Sequence, residues 1–344
     1  MTNQTVYISS CVPEGGVFRY ELLPDGRLAL QDHFAAAEPM YAICRNHVIY
    51  LLLRAPFAGR TESGALALRV EPDGQLTPLG DVQPLGGTVA CHLALAPNGR
   101  FLYTANYVSG NLTELPVLAD GSLGPRTRLI QHEGSSVNPR RQEGPHTHAA
   151  VFSPDGRFLC VVDLGLDQIV LYAFDPQTGL CPEPAFVCRA QPGQGPRHLV
   201  FSRDGTCAFC ANELASSLTV YRYRDGRLEM LATQPTLPDG FAGENTCAAI
   251  RLSPDGRFVL VSNRGHDSIA CFAIDGEQVR LVSITPSGGQ SPRDFDISPD
   301  GCFLLSTNEK AHTVTVLRVD PATGELSLTG SEAPLAAPLC VTWG

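Results

Sequence analysis

The run A-I-R-L-S-P-D-G-R-F-V-L-V-S-N (249–263) sets an Asp-Gly turn, Asp255-Gly256, between two stretches rich in apolar, β-branched and aromatic residues. Gly accepts the positive φ that a tight turn demands, so such a run reads as a β-hairpin. The arrangement recurs at Asn98-Gly99, Asp155-Gly156, Asp204-Gly205 and Asp300-Gly301. A second series interleaves with it: Asp25-Gly26, Asp73-Gly74, Asp120-Gly121, Asp175 to Gly179, Asp225-Gly226, Asp275-Gly276 and Asp320 to Gly324. Their first residues stand 48, 47, 55, 50, 50 and 45 apart. Two hairpins in each period of about fifty residues make four antiparallel strands, the repeat of a β-propeller blade. Seven periods predict an all-β, seven-bladed propeller, a single domain over residues 1–344.

With the strands of a blade named A to D outward from the axis, the A–B hairpin of the second blade has no Pro-Asp-Gly turn and bends near Arg45-Asn46. The run V-Y-I-S-S (6–10) reads as a B strand, followed by C near 17–22 and D near 27–31, with no A strand before it. The run A-P-L-C-V-T-W (337–343) reads as an A strand with no B after it. Pairing the two closes the ring and hides both open edges.

Composition suits one large domain of short strands: 43% hydrophobic, with 33 Gly and 27 Pro. No N-terminal run resembles a signal peptide, and no run is long enough to span a membrane as a helix. Twelve cysteines in such a chain point to reduced thiols and a cytoplasmic setting. Cys207 and Cys210 form the one C-x-x-C, but residues three apart on a strand face opposite sides, so they read as core thiols. A formal charge of −10 argues against nucleic acid as a partner and gives no reason to expect a membrane surface. The sequence carries no mark of a particular oligomeric state. Sequence motifs for a nucleophilic Ser, a Walker loop and a zinc protease are absent, and no metal or cofactor is called for.

Counting outward from each A–B turn predicts pairs at the open end of the hairpins. These are Cys91 with Asn106, His148 with Asp163, Arg197 with Asn212, Ala248 with Asn263, and Arg293 with Asn308. His92, His146, His198, Glu213, Arg264, His266, Asp267, Glu309 and Lys310 are neighbours of these pairs. Because A is innermost, all of them are expected to meet around the axis on one face. The longest irregular stretches, 54–63, 131–145 and 234–246, belong to that face, as binding loops on a rigid scaffold do. Duller readings stand beside these. The Asn and Asp residues can close turns on their own backbone, and Arg197 with Glu213 can be a structural ion pair. His33, His47 and His132 have no partner in the pattern and read as surface or loop residues.

At these hairpin mouths several phrases recur in order: G-P-H-T-H (144–148), V-D-L-G-L-D (162–167), G-P-R-H-L (195–199), A-N-E-L (211–214), S-N-R-G-H-D-S-I (262–269) and S-P-R-D-F (291–295). In these the chain resembles the seven-bladed lactonase family, typified by cycloisomerase-like 6-phosphogluconolactonases and the fungal carboxy-muconate lactonising enzyme. The resemblance implies a catalytic set at His146 or His148, Arg197, Glu213 and Arg264, with Arg293 added. His92, Asn106, Asp163, His198, Asn212, Asn263, His266, Asn308 and Glu309 are expected around the substrate. Two positions depart from the family pattern: Ala249 stands where relatives carry an acid, and Glu309 where they show Gln.

The implied activity is hydrolysis of a small anionic lactone, 6-phosphoglucono-δ-lactone first. Glu213, His146 or His148 would take a proton from water, and Arg197 and Arg264 would bind phosphate or carboxylate and the developing oxyanion. A lactonising cycloisomerase and a non-enzymatic interaction platform are the alternatives. The repeated Trp-Asp and Gly-His marks of propeller platforms are absent, and the only Trp is Trp343.

Overall fold

The Ser-Pro-Asp-Gly turns are closed by their own side chains. Ser153 Oγ donates to Asp155 Oδ1 (2.6 Å) and accepts from Phe158 N (3.0 Å), while Asp155 Oδ1 also accepts from Arg157 N (3.1 Å). The same three bonds recur around Asp255 and Asp300. Gly156, Gly256 and Gly301 sit at φ 68°, 76° and 74°, the left-handed region where a Cβ is strained. In the second blade Asn46 and His47 both take positive φ between paired Arg45 and Val48, the backbone of a two-residue hairpin turn.

The computed structural model describes residues 3–54 and 59–344, which form seven antiparallel sheets. Six have four strands, and in the second blade a short segment, Gln83–Pro84, adds to the third strand. The innermost strands are Pro338–Trp343, Pro39–Arg45, Ala90–Leu95, Thr147–Phe152, Pro196–Phe201, Thr246–Leu252 and Pro292–Ile297, in blades one to seven. Each touches the innermost strand of the next blade, and the seventh touches the first. Closure is as the ends predict: Val6 faces Trp343 and Ser9 faces Cys340.

Sheets pack face to face, so alternate side chains of one strand serve two interfaces. In Phe158–Asp163, Leu159 and Val161 pack toward blade three while Cys160 and Val162 pack toward blade five. Cys207 and Cys210 divide in the same way between the two sides of blade five, and all twelve cysteines are unpaired.

One expectation is corrected. The innermost strands do not pair in even register with their neighbours, because each carries a bulge near its start. Asn106 faces Ala90 rather than Cys91, Asp163 faces Thr147, Asn212 faces Pro196, Asn263 faces Cys247, and Asn308 faces Pro292. The extra residue leaves the ladder and is aimed afresh. With the corresponding shifts in blades one and two, the bulged residues are Leu339, Met40, Cys91, His148, Arg197, Ala248 and Arg293, the shift in blade six spanning Ala248 and Ala249.

Candidate active site

The bulges aim a ring of side chains into the axis, and the fifth blade supplies the charged centre. Arg197 is 3% exposed and its Nε donates to Glu213 Oε2 at 2.9 Å. Arg264 Nη2 lies 2.9 Å from the same oxygen and also donates to Cys247 O. Arg141, from the 131–145 connection, donates through Nη2 to Glu213 Oε1 and, at 3.2 Å, to Tyr107 Oη. Three guanidiniums thus share one buried carboxylate, a surplus of two positive charges inside an acidic protein. Burial alone would raise the Glu213 pKa, but Arg264 and Arg197 outweigh it and hold the carboxyl well below the usual range. Burial and the neighbouring Arg264 push Arg197 down to about 9, which still leaves it protonated at neutral pH.

His148 faces this cluster from blade four. Burial, then Arg197, holds its pKa well below 6.5, so the ring is neutral. Its Nδ1 lies 3.7 Å from Cys91 Sγ, and its Nε2 makes no hydrogen bond among the described residues. A Cys–His pair suggests a thiolate nucleophile, but burial pushes the Cys91 thiol up to about 12, so it stays protonated. His146 stacks flat on Tyr107, ring centres 4.5 Å apart, and directs Nδ1 to Tyr107 O (2.9 Å) and Nε2 to Glu143 Oε1 (3.2 Å).

Below this level the axis is plugged by aromatic rings. His198 lies 5.2 Å from both His92 and His148, and His92 lies 4.5 Å from Tyr41. His198 Nε2 takes a hydrogen bond from Arg197 Nη1 at 3.1 Å, which fixes the tautomer with the proton on Nδ1. Burial first, then Arg197, keeps His198 neutral; burial, then Arg251, lowers His92 to about 3. Beneath the rings Arg251 pairs with Asp294 at 2.8 Å.

Of the residues singled out in the sequence, the structure brings His146, His148, Arg197, Glu213 and Arg264 to one mouth, with His92 and His198 under them. Arg293 and Glu309 form a pair, 3.6 Å apart, on the blade-seven side. His266 sits at the rim on Ser268 Oγ (2.7 Å). The asparagines lie elsewhere. Asn106 bonds Asn111 and Thr113, Asn212 bonds Ser217 and Thr219, Asn263 bonds Thr236 and Ser268, and Asn308 bonds Thr315. All four side chains are fully buried and tie strand B to its neighbours. The repeated Asn with Thr seven residues on, in three of the four, was the readable sign of this role. Asp163 accepts from the backbone N–H groups of His146, Gly165 and Leu166 and pairs with His132 Nδ1 at 2.7 Å.

His132 is therefore no surface residue: it is 6% exposed, held between Asp163 and the Tyr172 hydroxyl. The residues that sequence reasoning missed are Arg141, Tyr107 and Tyr41. Arg141 had one signal, its place in the longest loop on the site face. Of the loop expected at 54–63, residues 55–58 lie outside the described residues. Among the described residues no group of three or more His, Cys, Asp or Glu side chains is placed to hold a metal ion.

Residues 5–343 match the family model for the 7-bladed beta-propeller lactonases. The chain belongs to this family. An uncharacterised protein of Staphylococcus aureus strain USA300 is 32% identical over 99% of both chains. Among solved structures, this lactonase-family chain is similar to a periplasmic gluconolactonase of Pseudomonas aeruginosa, with TM-score 0.92, 30% identity and 99% of each chain covered. It is also similar to a candidate 6-phosphogluconolactonase of Bacteroides fragilis, with TM-score 0.89, 27% identity and 99% and 98% of the two chains covered.

Proposed function

We propose that the protein hydrolyses a sugar lactone carrying an anionic substituent, with 6-phosphoglucono-δ-lactone the first substrate to test. One observation carries this reading: in a lactonase-family chain, three arginines gather on one carboxylate beside a neutral, open-ended histidine. The names of the solved neighbours, a gluconolactonase and a candidate 6-phosphogluconolactonase, point to the same ring chemistry.

In this reading His148 Nε2 accepts a proton from water as the water oxygen attacks the lactone carbonyl carbon. The carbonyl electron pair moves to oxygen, where a free N–H of Arg197 or Arg264 meets it. Collapse breaks the bond to the ring oxygen, and the proton held by His148 passes to that oxygen. Glu213 is a poor proton acceptor here, because the arginines that surround it stabilise its ionised form. Its role is to place their guanidiniums.

The test is ring opening of 6-phosphoglucono-δ-lactone and of glucono-δ-lactone by purified protein, with and without EDTA. Turnover above the buffer rate, unchanged by EDTA, is the expected result. Turnover lost to EDTA and restored by Ca²⁺ moves the chemistry to a bound cation, and no turnover of either lactone removes the hydrolase reading.

A further inference from the structure

Arg141 belongs to a segment whose backbone is fixed, although its side chain reaches into the mouth. Asn138 Oδ1 accepts from the backbone N–H groups of Arg140 (3.0 Å) and Arg141 (3.2 Å), and Asn138 O accepts from Gln142 N (2.8 Å). Gln142 is fully buried, with Nε2 on Leu164 O at 2.9 Å, and Ser136 bonds Asp167. The side chain is the exposed partner of its ion pair, 37% against 5% for Glu213. From there it spans from the connection between blades three and four to a residue of blade five, passing the mouth that holds His148.

A guanidinium has five N–H donors in a fixed plane. Arg141 makes its side-chain bonds through Nη2 alone, so Nε and Nη1 have no partner among the described residues. Arg197 likewise leaves Nη2, and Arg264 leaves Nη1, without a partner among them. Donors from three different blades or connections thus converge where only one carboxylate answers them.

We propose that Arg141 is an anion-binding, specificity-determining residue that grips a phosphate-class substituent of the substrate, sharing its fork between that group and Glu213. This rests on the lactonase reading for its substrate but not for its binding chemistry. Two negative charges on a phosphate match the surplus of two on the cluster, whereas a neutral sugar ring gains no charge pairing from Arg141. Glu213 then sets the selectivity: an incoming group has to compete with a carboxylate already bonded to the same guanidinium, which disfavours weak, singly charged groups.

The experiment compares Arg141→Gln and Arg141→Lys with Arg140→Gln, an exposed neighbour that changes the net charge equally. Arg141→Gln is expected to raise KM for 6-phosphoglucono-δ-lactone by about tenfold or more with kcat nearly kept, and to leave KM for glucono-δ-lactone within about twofold. Arg141→Lys recovers part of the loss, and Arg140→Gln changes neither substrate. Calorimetric titration with 6-phosphogluconate reads binding without chemistry and is expected to weaken by a similar factor in Arg141→Gln. If no lactone is turned over but that binding weakens, the hydrolase reading falls and the anion site stands. Equal losses on both substrates, an Arg140→Gln effect as large as that of Arg141→Gln, or no binding of 6-phosphogluconate by the wild-type chain overturns the proposal.

Discussion

Glu213 accepts from Arg197 Nε at 2.9 Å while both side chains are almost wholly buried. A carboxylate so held is an organiser of cations, not a proton acceptor. Glu213→Gln keeps the shape and is expected to lower kcat by less than about tenfold, while His148→Asn lowers it by about a hundredfold or more. Steady-state kinetics on both variants, with circular dichroism to establish folding, decides between them. A hundredfold loss in Glu213→Gln alone would return the base role to the carboxylate.

The axial histidines make stability depend on pH. His92, His148 and His198 all have folded pKa values below the ordinary 6.5, so below that pH the unfolded chain binds more protons than the folded one. Their contribution is whole above about pH 6.5 and is lost as pH falls, for His92 down to about pH 3. Asp296, held up to about 6 by burial, opposes this with one proton against three. Denaturant unfolding from pH 7.5 to 5 is expected to show falling stability, with a shallower slope in His198→Phe. A flat profile would contradict the buried, neutral state of these rings.

Asp163 and His132 should matter for stability and not for turnover. Asp163→Asn keeps the size but loses the charge that three backbone N–H groups and His132 share. A loss of about 1–3 kcal/mol is expected from denaturant midpoints, with kcat of the folded fraction near wild type. A selective loss of kcat would make Asp163 part of the chemistry.

Ring closure gives a fourth test. Removing residues 337–344 strips the innermost strand from the first blade and uncovers the edge at Val6–Ser10. The truncated chain is expected to aggregate or to unfold at a markedly lower temperature. A monomer with unchanged thermal unfolding would show that the pairing adds little.

The blades, their turns and the closure were legible because they depend on local features: Asp-Gly turns, alternating strands, and a fixed period. The site was legible where a whole hairpin mouth is polar, as at Arg197 and Glu213. Counting from the turns failed by one residue at each bulge, since nothing local distinguishes Thr147-His148-Ala149 from an even ladder. It also drew the four asparagines into the mouth, although their partners are hydroxyls and backbone of adjacent strands. Arg141 reaches Glu213 over 72 residues of sequence, a contact that only the ring geometry creates. His132 was missed for the same reason, being paired across 31 residues to Asp163.

The bulge repeated at one level of all seven innermost strands makes that level a set of interchangeable sockets. A residue in such a socket stands outside the pairing ladder of its strand, so its direction is set by the bulge and not by the alternation of its neighbours. Four sockets hold Cys91, His148, Arg197 and Arg293, and three hold Leu339, Met40 and Ala248. A lineage built this way can acquire a new substrate by exchanging the polar occupants His148, Arg197 and Arg293 one at a time, whereas Leu339, Met40 and Cys91 also belong to the apolar core around blades two and three. Ala248, the smallest occupant and the blade-six neighbour of Arg197, is fully buried, so a larger side chain there has to be matched by a smaller one beside it.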